Sequence, residues 1–265
     1  MEGMGGKLPH SEKAALVTGA SRGIGRAIAV RLASEGIRVV LCARDQSALN
    51  GVVAQIHSNG GQAESIALDL RLPESAQSAV DFARERFGTI DILVNNAGAT
   101  KRGDFLDLTD ADFADGFALK YFGAVRLTRT AWPLLKDRKG SVIFISGVGG
   151  RTPGAQFTIG GSVNAALLSF TKAIAELGIR DGVQVNAINP GTIRTDRFTA
   201  RLNTMAAQQG LDPKAAEAAY IQQASVTRIG EPEEIAALVA FVVSREGRLL
   251  HGSLIDADAG ATKTI

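Results

Sequence analysis

The chain has 265 residues, of which 45% are hydrophobic and 21% are charged, a composition typical of globular proteins that excludes a disordered or collagen-like chain. Lysine and arginine (29) exceed aspartate and glutamate (27) by only two, which is too small an excess for an electrostatic nucleic-acid binder. A lone cysteine, Cys42, excludes a disulfide framework and a thiolate metal cluster, and no apolar run reaches the length of a membrane span, so we expect a cytoplasmic protein.

Residues 1–12 contain no apolar stretch, and we expect them to form a flexible tail before one domain that spans 13–265. Short apolar runs then alternate with amphipathic runs. The apolar runs predict strands buried on both faces of a parallel sheet, over Ala14–Thr18, Ile37–Cys42, Ala63–Leu68, Ile90–Val94, Ser141–Ile145, Val183–Ile188 and Ser253–Asp256. The amphipathic runs predict helices over Gly25–Glu35, Gln46–Asn59, Glu74–Phe87, Ala111–Lys136, Val163–Leu177 and Glu233–Ser244. This alternation predicts a single-domain α/β fold, a doubly wound, seven-stranded parallel sheet with helices on both faces.

Two local signals refine this pattern. Thr109 stands three residues before Asp112, which is close to the spacing and chemistry of a capping box, so a helix should begin there. Residues 192–228, between the sixth and seventh strands, are polar and rich in alanine and glutamine. We expect them to form a helical insertion that lies over a ligand crevice.

A glycine-rich loop joins the first predicted strand to the first predicted helix. Its spacing is G-x-x-x-G-x-G. In this context the first glycine allows a sharp turn, the second lets the backbone approach a pyrophosphate, and the third lets the helix pack closely on the strand. The free N–H groups at the helix N-terminus favour negative charge. We therefore expect a dinucleotide to be bound by Gly19, Ser21, Arg22, Gly23, Ile24 and Gly25.

The end of the second strand indicates which dinucleotide is bound. An acid there holds the ribose 2′-hydroxyl of NAD, whereas cations there bind the 2′-phosphate of NADP. The position expected for the acid is Ala43, which Arg44 follows, and Arg22 of the glycine loop can converge on the same phosphate. We predict NADP(H), with NAD(H) as the less favoured alternative because Asp45 lies one residue further on.

Several further segments, in chain order from Lys13 to Gly260, resemble the short-chain dehydrogenase/reductase family. Asp69-Leu70 resembles the acid–apolar pair that contacts adenine. Asn95–Gly98 resembles the signature after the fourth strand, and Asn189–Thr195 resembles the segment that reaches the nicotinamide. The resemblance implies a Rossmann fold and an oxidoreductase. It also implies coenzyme contacts from Asp69, Leu70, Asn96, Ala97, Gly98, Pro190, Gly191, Ile193 and Thr195.

The resemblance breaks at the catalytic residues. The family uses an Asn in the helix after the fourth strand, a Ser after the fifth strand, and a Tyr and a Lys four apart on the next helix. The Tyr exchanges a proton with the substrate oxygen. The corresponding residues here are Lys120, Gly147, Gly160 and Asn164. Neither of the two tyrosines, Tyr121 and Tyr220, has a lysine four residues later, so no realignment restores the pair.

Two residues are candidates to replace the missing groups. Lys120 would place an ammonium near the pocket, and burial can lower the pKa of a lysine enough for it to act as an acid. The alternative is a salt-bridged or solvent-facing lysine. Ser146 is one residue from the Ser position, but adjacent side chains of a strand point to opposite faces, so a hydroxyl bonded to backbone is the favoured interpretation. No spacing of metal ligands stands out.

Three functions stay open on these grounds. The first is an NADP(H)-dependent oxidoreductase with an atypical site, acting on an unknown small carbonyl or alcohol. The second is a catalytically inactive NADP(H)-binding scaffold or regulator, and the third is a non-redox elimination or isomerisation on the same fold. No nucleic-acid or membrane partner is expected. The resemblance also implies a homodimer or homotetramer, formed through the long helices near Ala111–Lys136 and Val163–Leu177.

Overall fold

The computed structural model describes residues 12–264, so the predicted tail lies almost entirely outside the described residues. These residues form one parallel sheet in the order β3-β2-β1-β4-β5-β6-β7, which confirms the predicted seven-stranded doubly wound sheet. Its strands are β1 (Ala14–Thr18), β2 (Arg38–Ala43), β3 (Ala63–Ala67), β4 (Ile92–Asn95), β5 (Ser141–Ile145), β6 (Gln184–Pro190) and β7 (Leu254–Ala257).

Helices cover both faces of the sheet. They are α1 (Gly23–Ser34), α2 (Gln46–Ser58), α3 (Ser75–Phe87), α4 (Asp110–Phe117), α5 (Gly123–Asp137), α6 (Thr158–Asp181), α7 (Asp196–Gln209), α8 (Pro213–Ala224) and α9 (Pro232–Val243). Alternate residues of each strand point to opposite faces. Val17 therefore packs in a core with α1, α2 and α9, whereas Leu16 packs in the other core with α3, α5 and α6.

The helix predicted over Ala111–Lys136 is not one uniform helix. Its start is as predicted, because Thr109 and Asp112 form a reciprocal capping box. A turn of π-helix over Ala118–Phe122 then separates α4 from α5. Such turns insert an extra residue into the helix and are frequent at functional sites, and this one carries Lys120.

The predicted insertion contains two helices, α7 and α8. They pack on each other through Phe198, Leu202, Ala206 and Ala216, in a small core separate from the two beside the sheet. The role of this insertion as a cover over a ligand crevice stays a prediction. No helix within residues 12–264 is both long and apolar enough to cross a membrane.

The strand order determines where a ligand can bind. After β1 the chain builds outward to β3, and it then returns to β4 on the other side of β1. The connections that leave the carboxyl ends of β1 and β4 therefore diverge, which opens a crevice at this switch point.

Candidate functional site

A cleft of about 1110 Å³ lies at the carboxyl edge of the sheet. The segments after β1, β2, β4, β5 and β6 line it, together with residues of α7 and α8. A cleft of this size, slightly above the usual range for small-molecule sites, has room for a dinucleotide and a small second ligand.

Two glycines of the glycine-rich loop have no space for a side chain. A Cβ on Gly19 would lie 2.9 Å from Nδ2 of Asn96, and a Cβ on Gly25 would overlap the Gly19 carbonyl. Arg22, the N-cap of α1, makes no side-chain capping bond, so the first N–H groups of α1 are left for a ligand. Without side chains at these two glycines, the loop backbone can approach a ligand closely. Together with the free N–H groups of α1, this suits the phosphates of a dinucleotide.

Thr18 holds the two sides of the cleft together. Its hydroxyl donates to the Val94 carbonyl at 3.3 Å and accepts from the N–H groups of Asn96 and Ala97 at 2.9 and 3.0 Å. The Asn96 amide donates in turn to the Thr18 carbonyl. These bonds tie the loop after β4 to the glycine-rich loop, so both present a fixed backbone to the cleft.

Arg22 and Arg44 line the end of the cleft beside β2. Asp45, the residue that favoured NAD, also lies there, but its Oδ1 accepts the Ala48 N–H at 3.0 Å as the N-cap of α2. Its carboxylate is thereby partly engaged by the helix, whereas neither arginine forms an ion pair within residues 12–264. This end of the cleft therefore favours an additional phosphate over a neutral hydroxyl.

The structure brings most of the predicted coenzyme contacts to this cleft. The lining includes Gly19, Ser21, Arg22, Gly23, Ile24, Arg44, Leu70, Asn96, Ala97, Gly98, Pro190, Gly191 and Thr195. Three predicted residues do not line it. Gly25 lies beneath the Gly19 carbonyl, Asp69 pairs with Arg71 at 3.3 Å, and Ile193 is buried beside Gly230.

Lys120 projects into the centre of the cleft. Its aliphatic chain runs beneath Gly98, and Nζ donates to the Ser146 carbonyl at 2.7 Å and to Oδ1 of Asn164 at 2.6 Å. Lys120 and Asn164 are the residues predicted to correspond to the Asn and the Lys of the resembling family, and the structure brings them into contact. An ammonium has three N–H bonds, and the third has no partner within residues 12–264.

The surroundings of Lys120 make its ammonium acidic. Burial, and secondarily the positive charge of Arg197, lower the pKa of Lys120 from 10.5 to about 8. A group with this pKa is largely protonated at neutral pH and gives up its proton readily, which suits a general acid.

Gly160, the position predicted to correspond to the family's Tyr, lies against the aromatic ring of Phe157. A Cβ on Gly160 would overlap the Phe157 ring, and a Cβ on Gly149 would lie 2.7 Å from the opposite edge of that ring. Phe157 therefore fills the space between the two glycines. Gly147, at the position of the family's Ser, has φ +148° and lies against the Asn164 amide, so a side chain there would be strained.

Two other hydroxyl groups near this centre, those of Ser146 and Tyr220, are already bonded. Ser146 is 5% exposed, and its Oγ donates to the Asn164 carbonyl at 3.1 Å, as favoured from the sequence. Tyr220 of α8 reaches the cleft, where its hydroxyl lies 2.7 Å from that of Thr192.

Sequence reasoning missed four residues of this cleft: Arg102, Asn164 as a partner of Lys120, Arg197 and Arg201. The arginines come from the loop after β4 and from α7. No local motif marks them, because their proximity follows only from the packing of the insertion over the sheet.

Comparison with known proteins agrees with this geometry. The family model described as short chain dehydrogenase matches residues 13–206. An uncharacterized oxidoreductase of Mycobacterium tuberculosis is 36% identical, over 95% of this chain and 92% of that protein. L-Sorbose reductase from Gluconobacter frateurii, complexed with NADPH and L-sorbose, is similar with a TM-score of 0.91 at 32% identity, over 96% of this chain and 97% of that one. A short chain dehydrogenase from Burkholderia cenocepacia in complex with NADP has a TM-score of 0.84 at 32% identity, covering 95% and 98% of the two chains.

Proposed function

Because this chain belongs to the short-chain dehydrogenase family, we propose that it is an NADP(H)-dependent reductase of a carbonyl compound in which Lys120 replaces the usual tyrosine as proton donor. The observation that carries this proposal is the position of the Lys120 ammonium. It lies in the cleft, hydrogen-bonded to Asn164 and to the Ser146 carbonyl, and its third N–H bond has no partner among the described residues.

The coenzyme half of the cleft fits NADP(H). The glycine-rich loop and the free N-terminus of α1 would hold the pyrophosphate, and Arg22 and Arg44 would hold the 2′-phosphate. The loops containing Asn96–Gly98 and Pro190–Gly191 would hold the nicotinamide end. Both solved relatives described above contain the phosphorylated coenzyme, which supports the same choice here.

Lys120 would complete the reaction with a proton. NADPH, when bound, supplies the hydride for the carbonyl carbon. The carbonyl oxygen then gains negative charge, and Nζ of Lys120 gives it the proton of its free N–H bond. Asn164 and the Ser146 carbonyl hold the ammonium by its other two N–H bonds, so the proton is directed into the cleft. The neutral amine regains a proton from water before the next turnover.

A direct test is NADPH oxidation in the presence of a panel of aldehydes and ketones, followed by absorbance. Steady, substrate-dependent oxidation supports the proposal. Tight NADPH binding without oxidation by any member of a broad panel, including ketoacids, contradicts it.

Coenzyme selectivity gives a separate prediction. Replacing Arg44 with alanine weakens NADPH binding by about tenfold or more, since a charge-assisted bond to phosphate contributes about 1.5–3 kcal/mol. NADH, which lacks the 2′-phosphate, binds as it does to the wild type. The dissociation constants are measured by quenching of coenzyme fluorescence.

Arg26 provides the matched control. It lies on α1, but its guanidinium bonds to Gln55 at 3.0 Å and does not line the cleft. Arg26→Ala leaves both dissociation constants unchanged. If Arg44→Ala weakened NADPH and NADH equally, the proposed phosphate contact would be wrong.

A second candidate function is a non-catalytic NADP(H)-binding protein. It is favoured by the side chain of Phe157, which fills the space beside Gly160, and by the bonded hydroxyl of Ser146. The panel above separates the two functions, because a pure binding protein takes up NADPH but consumes none.

The predicted homo-oligomer also stays a proposal. Phe122, at the start of α5, and Ile179, near the end of α6, are 46% and 74% exposed, so both helices present apolar side chains for association. Sedimentation of the purified protein would measure its oligomeric state.

A further inference from the structure

Three arginines line the cleft on the side of Phe157 and Tyr220, away from the glycine-rich loop. They are Arg102, Arg197 and Arg201. Two of them lie against aromatic rings: Arg102 is 3.9 Å from the centroid of Phe157, and Arg201 is 5.0 Å from that of Tyr220. The rings hold the guanidinium groups in place by cation–π contact without using their N–H donors.

None of these arginines forms an ion pair with a described residue. Neither Arg102 nor Arg201 forms an ion pair or a side-chain hydrogen bond within residues 12–264, and Arg197 reaches only the Gly98 carbonyl at 3.4 Å. Neighbouring arginines behave differently, because Arg194 pairs with Glu217 and Glu231. Arg102 and Arg201 therefore keep their N–H donors available toward the cleft, whereas those of Arg194 are bound by carboxylates.

The positive charges also act on one another. Burial, and then the like charge of Arg201, lower the pKa of the Arg102 guanidinium, with a smaller effect of Arg197. Lys120 adds a fourth cation, and the described carboxylate that lines this side is Asp196, at the start of α7; it is exposed, as are the three arginines, and it forms no ion pair with them. An arrangement of like charges without counterions is stabilised by a bound anion.

The coenzyme does not account for these arginines. Its phosphates have the α1 N-terminus and the Arg22–Arg44 end of the cleft, beside β1 and β2. Arg102, in contrast, stacks on the ring that fills the space beside Gly160 and so flanks the reaction centre. Arg197 lies between the two halves and can contact either ligand, so the inference depends on Arg102 and Arg201.

We propose that the substrate carries an anionic group, a carboxylate or a phosphate, which Arg102 and Arg201 bind while its carbonyl faces Lys120. This inference rests on the proposed function, because the bound anion is a substrate only if the protein is a reductase. The planar guanidinium fork suits either anion, because both present paired oxygens at matching spacing.

The test uses NADPH-saturated protein and three probes of similar size: benzoate, phenyl phosphate and benzamide. Calorimetry should show benzoate or phenyl phosphate binding at least about tenfold more tightly than neutral benzamide, with affinity falling as salt rises. The anion that binds more tightly identifies the group. Arg102→Gln and Arg201→Gln should each weaken anion binding by about tenfold and leave NADPH affinity unchanged.

Arg86→Gln is the matched control. Arg86 also stacks on an aromatic ring, 5.1 Å from the centroid of Phe82, but it lies on α3 and does not line the cleft. It should leave all affinities unchanged. Equal binding of the three probes, or anion binding that survives the Arg102→Gln/Arg201→Gln double substitution, overturns the inference.

The two proposals fail in different ways. In one outcome, anion binding depends on Arg102 and Arg201, but no carbonyl compound of the panel, anionic ones included, causes NADPH oxidation. This outcome supports the anion site and contradicts the reductase. NADPH oxidation with neutral and anionic aldehydes at equal kcat/KM supports the reductase and contradicts the anion site. If NADPH does not bind, the three probes are titrated into the free protein. The anion site then requires the same loss of anion affinity in Arg102→Gln and Arg201→Gln.

Discussion

Lys120→Met lowers kcat for NADPH-dependent carbonyl reduction by about 10²–10⁴-fold, the usual contribution of a positioned general acid. This corresponds to about 3–5 kcal/mol of transition-state stabilisation. Methionine has nearly the same length as lysine but carries no proton to donate. NADPH affinity should change little, because the phosphate contacts lie elsewhere in the cleft. Steady-state kinetics and coenzyme titration measure the two effects separately.

The pH profile distinguishes proton donation from a simple charge effect. Reduction requires the protonated ammonium, whose pKa is lowered to about 8, so the rate is highest below that pH and falls as pH rises through it. Lys120→Arg keeps the positive charge but holds its proton too tightly to donate it. That variant should be slow at every pH and should lose the fall near pH 8. A Lys120→Met enzyme with wild-type kcat would remove Lys120 from the mechanism.

Restoring the family's Tyr and Lys by Gly160→Tyr with Asn164→Lys produces no faster enzyme and a less stable protein. The new side chain at 160 would overlap the Phe157 ring, whose other edge lies close to Gly149, so the ring would have to shift to make room. Lysine at 164 would also face Lys120, which now bonds to the Asn164 amide, so two ammonium groups would repel each other.

The steric part of this prediction can be isolated with Gly160→Ala. Overpacking of this kind typically costs about 1–3 kcal/mol, more than the about 0.5–1 kcal/mol that alanine gains over glycine in a helix. Phe157→Ala opens the space, so the double variant should lose less stability than the sum of the single variants. Urea denaturation of all four proteins gives this coupling energy. Additive losses would show that Phe157 does not occupy the space beside Gly160.

The fold could be predicted from local patterns along the chain. The apolar runs at Ala14–Thr18 and Ser141–Ile145 coincide with β1 and β5, because a strand buried on both faces must be apolar at nearly every position. The Thr109–Asp112 capping box and the glycine-rich loop could likewise be recognised, since each requires particular residues at short spacing. Helix ends were less certain: α6 begins at Thr158 and ends at Asp181 before Gly182, beyond the predicted Val163–Leu177.

The catalytic side of the cleft could be predicted only in part. That the usual Tyr–Lys pair is missing follows from the residues alone, because no lysine stands four positions after either tyrosine. What takes its place depends on residues far apart in the chain. Lys120 and Asn164 are 44 positions apart, and they meet because the π turn in the helix after β4 directs Lys120 toward α6.

The residues alone therefore predict the doubly wound sheet and the dinucleotide loop and show that no Tyr-x-x-x-Lys occurs, because each depends on short-range spacing or on the composition of a single run. Tertiary packing decided three features: the bonded Lys120 ammonium, the Phe157 ring beside Gly160, and the stacking of Arg102 and Arg201 on aromatic rings. These three features join separate segments across the cleft, and their distances, burial and charge interactions arise only when the helices close over the sheet.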